Sequence, residues 1–597
     1  MARTLAALAD WLDRRWRLAV LLFWIGAAAV LLWQKWAAIH WLALGDTDDN
    51  IRFVQVRDWL GGQGWYDLRQ YRLNPPQGFN IHWSRLVDLP IAGLVLLARP
   101  LLGTLDAWRF AVAVAPLLPM LVAMLALALV VRRLIAPLAY PVALVLLCCA
   151  GSAMLMWSPL RIDHHGWQLA LLMVTLAGLS DPRPVRAGVL VALSSSLSLA
   201  IGLEMLPYIV FAGAAIALRW AWEAEAALRM RAYGLALAGS TGAAFLAFAS
   251  TDNWAPRCDA LTPVWLVTVV LAALLLAGLS LVPARGRVTR LLLVCAAGLV
   301  ALLAYRLLFP QCWGHRLENI PPEAERLWLS HVREARPITA HPRDVALPAA
   351  ALPAIGLACG LALLWSAGRR RLLGPWLPGL AFGLFAFALT FWQFRTIASA
   401  QMLAVPVVAW ACWTLILRLG DRPLWVRGVA GAAIVALLSG GLMTPLEAWL
   451  PGKARPRAGK ARPDPVRRAN RRCPTIPALR PIGRLPKGVV FTFVDAGPRL
   501  IALTHHSAVA GPYHRNAGAI LDVEHAMRGT PEQAHAIMLA HRADYLLVCP
   551  NMSESTIYRS EAPGGFYAKL AGGWTPAWLI PIALPPGNPW RIWRLRP

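Results

Sequence analysis

Charged residues are scarce in this chain of 597 residues: they make up 15% of it, whereas hydrophobic residues make up 58%. About 25% of the residues of a typical soluble domain are charged, so this composition excludes an ordinary soluble enzyme. Repeated apolar runs of about 16 to 25 residues, from Leu18 to Met443, predict transmembrane helices. The sequence therefore indicates a polytopic α-helical membrane protein.

The cysteine spacing, the N-terminal segment and the charge balance exclude three further kinds of feature. The nine cysteines show no zinc-type spacing, although Cys258 with Cys312, and Cys473 with Cys549, can pair if their segments face an oxidising compartment. No small-residue cleavage site follows the first apolar run, which predicts an uncleaved span rather than a signal peptide. The excess of 58 basic over 31 acidic residues is typical of cytoplasmic loops that face anionic lipid. Nucleic acid is therefore not an expected partner.

Basic loop clusters predict the topology. Assigning all of them to the cytoplasm leaves two spans between each neighbouring pair, about thirteen spans in total, a cytoplasmic N-terminus and an external C-terminus. The clusters are Arg132-Arg133, Arg183/Arg186, Arg219 to Arg231, Arg285 to Arg290, Arg369 to Arg371 and Arg418 to Arg427. The predicted spans are 18–42, 107–131, 136–157, 167–180, 187–202, 205–220, 232–250, 261–283, 291–309, 346–366, 375–392, 396–417 and 428–445. Residues 89–103 are apolar but short, and we interpret them as a re-entrant or interfacial helix.

The chain changes character after residue 445. We predict a transmembrane domain over 1–445, a basic, proline-rich linker over 446–487 and a soluble α/β domain over 488–597. In the last domain, strands are predicted at 489–494 and 545–549, and helices at 517–528 and 531–542. Thr530 is the predicted N-cap of the second helix, with Pro531 at its first position.

Under this topology the ionisable clusters share the external side. They are Asp46-Thr-Asp48-Asp49, Asp163-His164-His165, Asp252, and Glu334 in the loop 310–345. Ionisable groups near a bilayer are costly and suggest function, and carboxylates with imidazoles suit a divalent cation. Taken singly, each cluster is also compatible with a solvated helix end or an ordinary charged loop. Arg395 either anchors at the membrane surface or binds a lipid-linked phosphate.

Several short motifs occur together. They are Gly45-Asp-Thr-Asp-Asp49, Asn74-Pro-Pro-Gln-Gly-Phe-Asn-Ile-His-Trp-Ser84, Asp163-His-His165, Ser330-His-Val-Arg-Glu-Ala-Arg-Pro337 and Arg395. In combination they resemble those of the catalytic subunits of oligosaccharyltransferases and of the wider GT-C class of membrane glycosyltransferases. The resemblance implies a GT-C-like fold with a small periplasmic C-terminal domain, and a polyprenyl-linked sugar donor.

The resemblance also implies roles for single residues. It makes Asp49 or Asp48 catalytic and assigns Mg²⁺ or Mn²⁺ to Asp49, Asp163, His165 and Glu334. It assigns the donor phosphate to Arg395. Asp46, His164 and Trp83 are further possible members of the site.

One departure from the family leaves the acceptor open. Those enzymes recognise an acceptor Ser or Thr with a Trp-Trp-Asp-Tyr-Gly-type motif, and we identify nothing like it after Pro451. The segment Ala510-Gly-Pro-Tyr-His-Arg-Asn516 either contacts a substrate or only shapes a loop. We predict a metal-dependent inverting glycosyltransferase at the periplasmic face of a bacterial inner membrane, with a protein, lipid or glycan acceptor. The alternatives are a cell-envelope polymer ligase or single-sugar transferase of the same fold, and a transporter or flippase.

Overall fold

The structure, a computed structural model, describes residues 2–314, 320–367, 373–447 and 464–596. Up to residue 447 it is helical apart from one two-residue strand pair, β1 (Arg69–Gln70) with β2 (Phe79–Asn80). Each predicted span overlaps a helix. These helices are Trp16–His40, Leu117–Leu134, Tyr140–Cys149, His165–Leu179, Pro184–Ile201, Leu206–Trp222, Ala227–Phe248, Pro263–Leu279, Arg287–Leu308, Arg343–Ala367, Leu373–Leu389, Ile397–Leu417 and Leu424–Leu438.

Within the described residues, seven helical segments are long and apolar enough to cross a membrane. The predicted multi-pass helical class is therefore confirmed, while thirteen as the number of crossings stays a prediction. Large apolar side chains such as Leu292, Leu303 and Trp365 lie exposed on these helices. In water such surfaces would be unfavourable, whereas lipid is as apolar as they are.

The short apolar run at 89–103 forms the first part of the helix Asp88–Val114, which breaks at Gly103. Gly103 has a φ of +75°, a conformation that glycine adopts without a steric penalty. The second predicted span, 107–131, is likewise interrupted, because one helix ends at Val114 and the next begins at Leu117. The position of the first half at a membrane surface stays a prediction.

After residue 488 the chain forms a five-stranded mixed sheet. Its strands are β3 (Val489–Phe491), β4 (Ser507–Ala508), β5 (Tyr545–Val548), β6 (Leu579–Ile582) and β7 (Arg591–Leu595), in the order β4-β3-β5-β7-β6. β3 runs parallel to β4 and β5, and β7 runs antiparallel to β5 and β6. The helices Ala517–Arg528 and Pro531–Ala540 pack with the sheet around one apolar core.

The predicted cap at Thr530 is confirmed. Its hydroxyl accepts the N–H of Gln533, and the Gln533 side chain accepts the N–H of Thr530. This reciprocal pair satisfies two backbone donors that the helix itself leaves without partners. The strands were predicted less completely, since only β3 and β5 were identified and both are shorter than expected.

Both predicted cysteine pairs are disulfides in the structure, Cys258–Cys312 and Cys473–Cys549. The first part of the predicted linker lies outside the described residues. Its second part includes the helix Pro465–Arg472, followed by the buried Cys473, Leu479 and Ile482.

The segment from the helix Thr47–Leu60 to Asn74 packs directly on the α/β fold that follows residue 488. Arg57 donates to the carbonyls of Ile501 and Ala502, and Arg72 donates to those of Thr504 and His506. Main-chain hydrogen bonds between Arg72, Asn74 and Ala508 continue the contact. The helix Thr47–Leu60 is thereby held against the helix Gly497–Leu503, which fixes its position.

Candidate active site

The carboxylates of the first cluster surround the N-terminus of the helix Thr47–Leu60. Asp46 is the N-cap, and its Oδ1 accepts the N–H of Asp48 at 3.4 Å and the Thr47 hydroxyl at 3.1 Å. Asp48 and Asp49 lie in the first turn, where the helix dipole favours negative charge. Asp48 is half-buried, whereas Asp49 is only 1% exposed.

Asp163 lies in the turn that leads into the helix His165–Leu179. Its N–H donates to Asp49 Oδ1 at 3.1 Å, and its own Oδ1 accepts the N–H of His165 at 3.1 Å. These two hydrogen bonds fix the turn against the helix Thr47–Leu60. The two acidic motifs, 114 residues apart in sequence, therefore meet as predicted.

The guanidinium of Arg161 lies among three carboxylates. It forms an ion pair with Asp46, contacts Asp163 Oδ2 at 2.8 Å and approaches Asp49 Oδ2 to 3.7 Å. Burial raises the pKa of Asp49 well above its ordinary value. Burial also acts to raise the pKa of Asp163, but the charge of Arg161, together with His165, His164 and the His165 N–H, lowers the pKa overall. Arg161 thus offsets part of the negative charge of the cluster.

Glu334 and Arg395 lie on two neighbouring turns, Arg333–Ala335 and Phe394–Thr396. The N–H of Phe394 donates to the Arg336 carbonyl at 2.7 Å, which joins the turns. Glu334 is exposed, and its charge adds to the effect of burial and of Asp46 in raising the pKa of Asp48 well above its ordinary value. The structure therefore brings Glu334 into electrostatic reach of the first cluster.

The side chain of Arg395 has an unsatisfied donor. Its Nε is buried and has no hydrogen-bond partner among the described residues. A buried donor without a partner costs free energy, and such groups in native proteins call for a specific explanation. An anionic ligand at this position would supply the missing acceptor.

His164 and Trp83 form an aromatic wall beside the carboxylates. Their rings are 5.1 Å apart, and the ring of His165 lies 4.3 Å from that of His164. The Arg52 guanidinium lies over the Trp83 ring at 4.5 Å and pairs with the fully buried Asp88 at 2.8 Å. Burial lowers the pKa of His164, so the imidazole is neutral at pH 7.

Glu204 is a site residue that the sequence analysis missed. Its two carboxylate oxygens accept the His164 Nε2–H at 3.1 Å and the Gln168 amide at 2.8 Å. It lies in the turn Leu203–Met205, directly after the helix Pro184–Ile201 ends at Gly202. The signal available in the sequence was an acidic residue beside a glycine in an otherwise apolar stretch.

Asp495, on the C-terminal side of the site, was missed as well. It follows β3, and desolvation together with the charge of Asp46 raises its pKa to about 6. Glu554 holds this turn, because its oxygens accept the N–H groups of Val494 at 2.7 Å and Asp495 at 2.8 Å. Asp495 and Gly497 keep the Asp-x-Gly spacing of the Trp-Trp-Asp-Tyr-Gly motif, but Phe493 and Val494 replace its tryptophans. A search for the complete motif therefore passes over this segment.

The segment 510–516 closes the site from the same side. The Tyr513 hydroxyl donates to the Thr47 carbonyl at 3.1 Å, and its ring stacks on Phe79 with centroids 5.5 Å apart. His514 and Arg515 both bind the Asp259 carboxylate, at 2.5 Å and 2.7 Å. The segment thus connects the C-terminal α/β fold to the helix Thr47–Leu60 and to the loop that contains Asp259.

We expect Tyr513→Phe to lower the free energy of unfolding by about 1 kcal/mol, because one buried hydrogen bond to the helix Thr47–Leu60 is lost while the ring stays. Thermal unfolding of the full chain in detergent measures this. Phe493→Leu is a matched control in the same core, because it alters packing without touching the acidic helix. An unchanged stability of Tyr513→Phe would show that the Tyr513 hydroxyl does not contribute to holding the segment.

Asp252 does not join the other acids. Both of its oxygens accept from the Arg69 guanidinium at 2.9 Å, so it connects two loops. No role in the cation site was assigned to Asp252, and an arginine on another loop satisfies its carboxylate.

The predicted cation ligands converge only in part. Among the described residues no group of three or more His, Cys, Asp or Glu side chains is arranged to hold a metal ion. Instead, the carboxylates of Asp46, Asp49 and Asp163 point at Arg161, which takes the central position. Oxygen donors of this kind suit a hard divalent cation, so the donor chemistry fits the prediction if Arg161 turns away.

No family model and no curated protein matches the chain at the sequence level. Solved structures do match its fold. The archaeal oligosaccharyltransferase AglB from Archaeoglobus fulgidus, in complex with an inhibitory peptide and a dolichol-phosphate, is 13% identical. The TM-score is 0.63, and the match covers 97% of this chain and 74% of that one.

Two further structures of the A. fulgidus enzyme agree with this match. One, tethered to an acceptor peptide, is 13% identical over 96% of this chain and 73% of that chain, with a TM-score of 0.63. The other, in complex with Zn and sulfate, is 13% identical over 91% and 69%, with a TM-score of 0.58. The chain therefore has the fold of an oligosaccharyltransferase catalytic subunit, as the motif resemblance predicted.

Proposed function

We propose that the chain is an inverting glycosyltransferase of the bacterial inner membrane. It would transfer a saccharide from a polyprenyl-(pyro)phosphate donor to a protein, lipid or glycan acceptor at the periplasmic face. The observation that carries the proposal is the convergence of Asp46, Asp49 and Asp163, beside Glu334, within the fold of AglB. The dolichol-phosphate and the peptide bound to AglB support a lipid-linked donor and make a peptide one candidate acceptor.

Arg395 is the proposed donor-binding residue. Its unsatisfied Nε–H matches the acceptor oxygens of a phosphate, and a guanidinium binds a phosphate through two parallel hydrogen bonds. Because Arg395 adjoins the Glu334 turn, a phosphate bound there would lie next to the acidic cluster. Neutralising the charge that develops on the leaving phosphate lowers the barrier to transfer.

Asp48 and Asp49 are the proposed groups that activate the acceptor. Burial raises the pKa of both carboxyls, which makes each carboxylate a stronger base near neutral pH. Asp48 is the more accessible of the two and is the one that an incoming nucleophile would reach. Asp49 is held by the Asp163 N–H and would orient the incoming nucleophile.

A divalent cation, Mg²⁺ or Mn²⁺, is part of the proposal. Asp49 and Asp163 would hold it, with His165 and Glu334 completing the set and Asp46 beside them. When bound, such a cation polarises phosphate oxygens and stabilises the leaving group. The Zn complex of AglB supports a divalent cation in this fold.

The acceptor is proposed to enter between the helix Thr47–Leu60 and the C-terminal sheet. The charge of Asp46 acts on Asp495 there, and the Tyr513 hydroxyl donates to the adjacent Thr47 carbonyl. A polymer ligase or a single-sugar transferase would use the same donor site with another acceptor. A transporter or flippase would leave the donor intact.

The proposal can be tested with the purified full chain in nanodiscs. The chain is given a synthetic short polyprenyl-pyrophosphoryl saccharide as the donor, and an extract of the membrane that contains the protein as the source of acceptor. We expect release of polyprenyl pyrophosphate, measured by mass spectrometry, to require Mn²⁺ or Mg²⁺ and to stop with EDTA. An intact donor under every condition would contradict glycosyl transfer. Donor cleavage that is equally fast with and without EDTA would contradict the proposed requirement for a divalent cation.

A further inference from the structure

A cleft of about 600 Å³ opens at the carboxyl end of β5. Its size lies within the range of small-molecule sites. In open α/β sheets, ligands bind beyond the carboxyl ends of the parallel strands, and β5 is one of the parallel strands here. None of the lining residues belongs to the candidate active site.

Three arginines line this cleft, Arg468 and Arg472 from the helix Pro465–Arg472 and Arg591 from β7. None of the ten lining residues is acidic. Within the described part of the chain, the side chains of Arg468 and Arg591 make no hydrogen bond or ion pair. Arg472 donates once, to the Gly587 carbonyl at 2.7 Å.

Like charges four residues apart on a helix repel each other, so Arg468 and Arg472 do not stabilise the helix by interacting with each other. Arg591 adds a third positive charge from another element. Exposed guanidinium groups that line one cleft, with no carboxylate among its lining residues, are well suited to bind a phosphate.

The arginines stand on a constrained scaffold. The disulfide between Cys473 and Cys549 ties the end of their helix to the end of β5, and Cys549 itself lines the cleft. The Asn470 side chain exchanges two hydrogen bonds with Ser553, one to its hydroxyl at 2.6 Å and one from its N–H at 3.1 Å. The helix is therefore held in place at two points, which reduces the entropy lost when a ligand binds.

We propose that this cleft is a phosphate-binding site, separate from the active site, in which Arg468 and Arg591 bind the anion and Arg472 supports it. The phosphate belongs either to an anionic lipid headgroup or to a soluble phosphorylated compound. Both sources present the same oxygens to the guanidinium groups. The proposal does not depend on the glycosyl-transfer function.

Isothermal titration of the full chain in neutral detergent with inorganic phosphate tests the site, with EDTA present throughout. We expect the double variant Arg468→Ala with Arg591→Ala to bind phosphate at least about tenfold more weakly, about 1.4 kcal/mol. Arg467→Ala with Arg471→Ala is the matched control, since it removes two exposed arginines of the same helix that do not line the cleft. The control should bind like the wild type.

The double variant Arg468→Lys with Arg591→Lys keeps the charge but loses the bidentate geometry of the guanidinium groups, so phosphate binding intermediate between the wild type and the alanine variant is expected. Thermal unfolding confirms that each variant is folded. Equal phosphate binding by the wild type and the alanine pair, or no binding by the wild type, would overturn the proposal.

A second arm identifies the source of the phosphate. The melting temperature is compared in nanodiscs with and without phosphatidylglycerol, for the wild type and the alanine pair. If phosphatidylglycerol raises the melting temperature of the wild type but not that of the double variant Arg468→Ala with Arg591→Ala, the site binds a lipid headgroup. Equal lipid effects, together with lost phosphate binding, assign it to a soluble phosphate compound.

Discussion

Asp49→Asn is expected to lower glycosyl transfer by about 10²- to 10⁴-fold, the range for loss of a catalytic acid–base group. Asparagine has nearly the same shape and keeps an oxygen that can accept the Asp163 N–H, so the turn should stay in place. It loses the negative charge that a cation or an acceptor proton requires. Because Asp49 is only 1% exposed, water or a dissolved anion cannot take the place of the lost carboxylate. The measurement is the initial rate of donor cleavage at saturating donor.

Asp421→Asn is the matched control, the same chemical change at an exposed position in the turn after the helix Ile397–Leu417. Its rate should equal that of the wild type. A drop in the melting temperature of Asp49→Asn would show that the loss reflects unfolding, and the comparison must then be repeated at a lower temperature. A wild-type rate in a folded Asp49→Asn protein would remove Asp49 from the chemistry.

The helices could be predicted because an apolar run in lipid can satisfy its backbone hydrogen bonds within one segment only as a helix, although only seven helical segments among the described residues are long enough to cross a membrane. Proline and a capping hydroxyl also located the start of the helix Pro531–Ala540. The strands could not be predicted equally well. β4 has only two residues, and Pro581 interrupts the pattern of β6, so neither shows the alternation that identifies a strand.

The meeting of Asp49 with Asp163 could be predicted from the resemblance, whereas their exact partners could not. Arg161 stands two residues before Asp163, but sequence gives no indication that its side chain points back to Asp46. The partner of Asp252 could not be predicted either, because a shared compartment does not decide which loop supplies the counter-charge. Asp495 was missed because its motif lacks the aromatic pair that makes such a segment visible.

The variant Arg161→Gln tests whether Arg161 and a divalent cation compete for the same three carboxylates. Without Arg161, three carboxylates face each other, and breaking a buried ion-pair network typically costs about 3–5 kcal/mol. We expect about 3 kcal/mol in EDTA, since Arg161 and Asp46 keep some solvent contact.

Mn²⁺ should restore most of that stability, because the cation can now take the central position among the oxygens. Melting temperatures with EDTA and with Mn²⁺ give the effect, and the shift produced by Mn²⁺ should be larger in Arg161→Gln than in the wild type. Arg422→Gln, which removes an exposed arginine, should show the wild-type shift. Equal Mn²⁺ shifts in Arg161→Gln and the wild type would mean that the three carboxylates serve the arginine alone, and the metal would then have to be sought elsewhere in the fold.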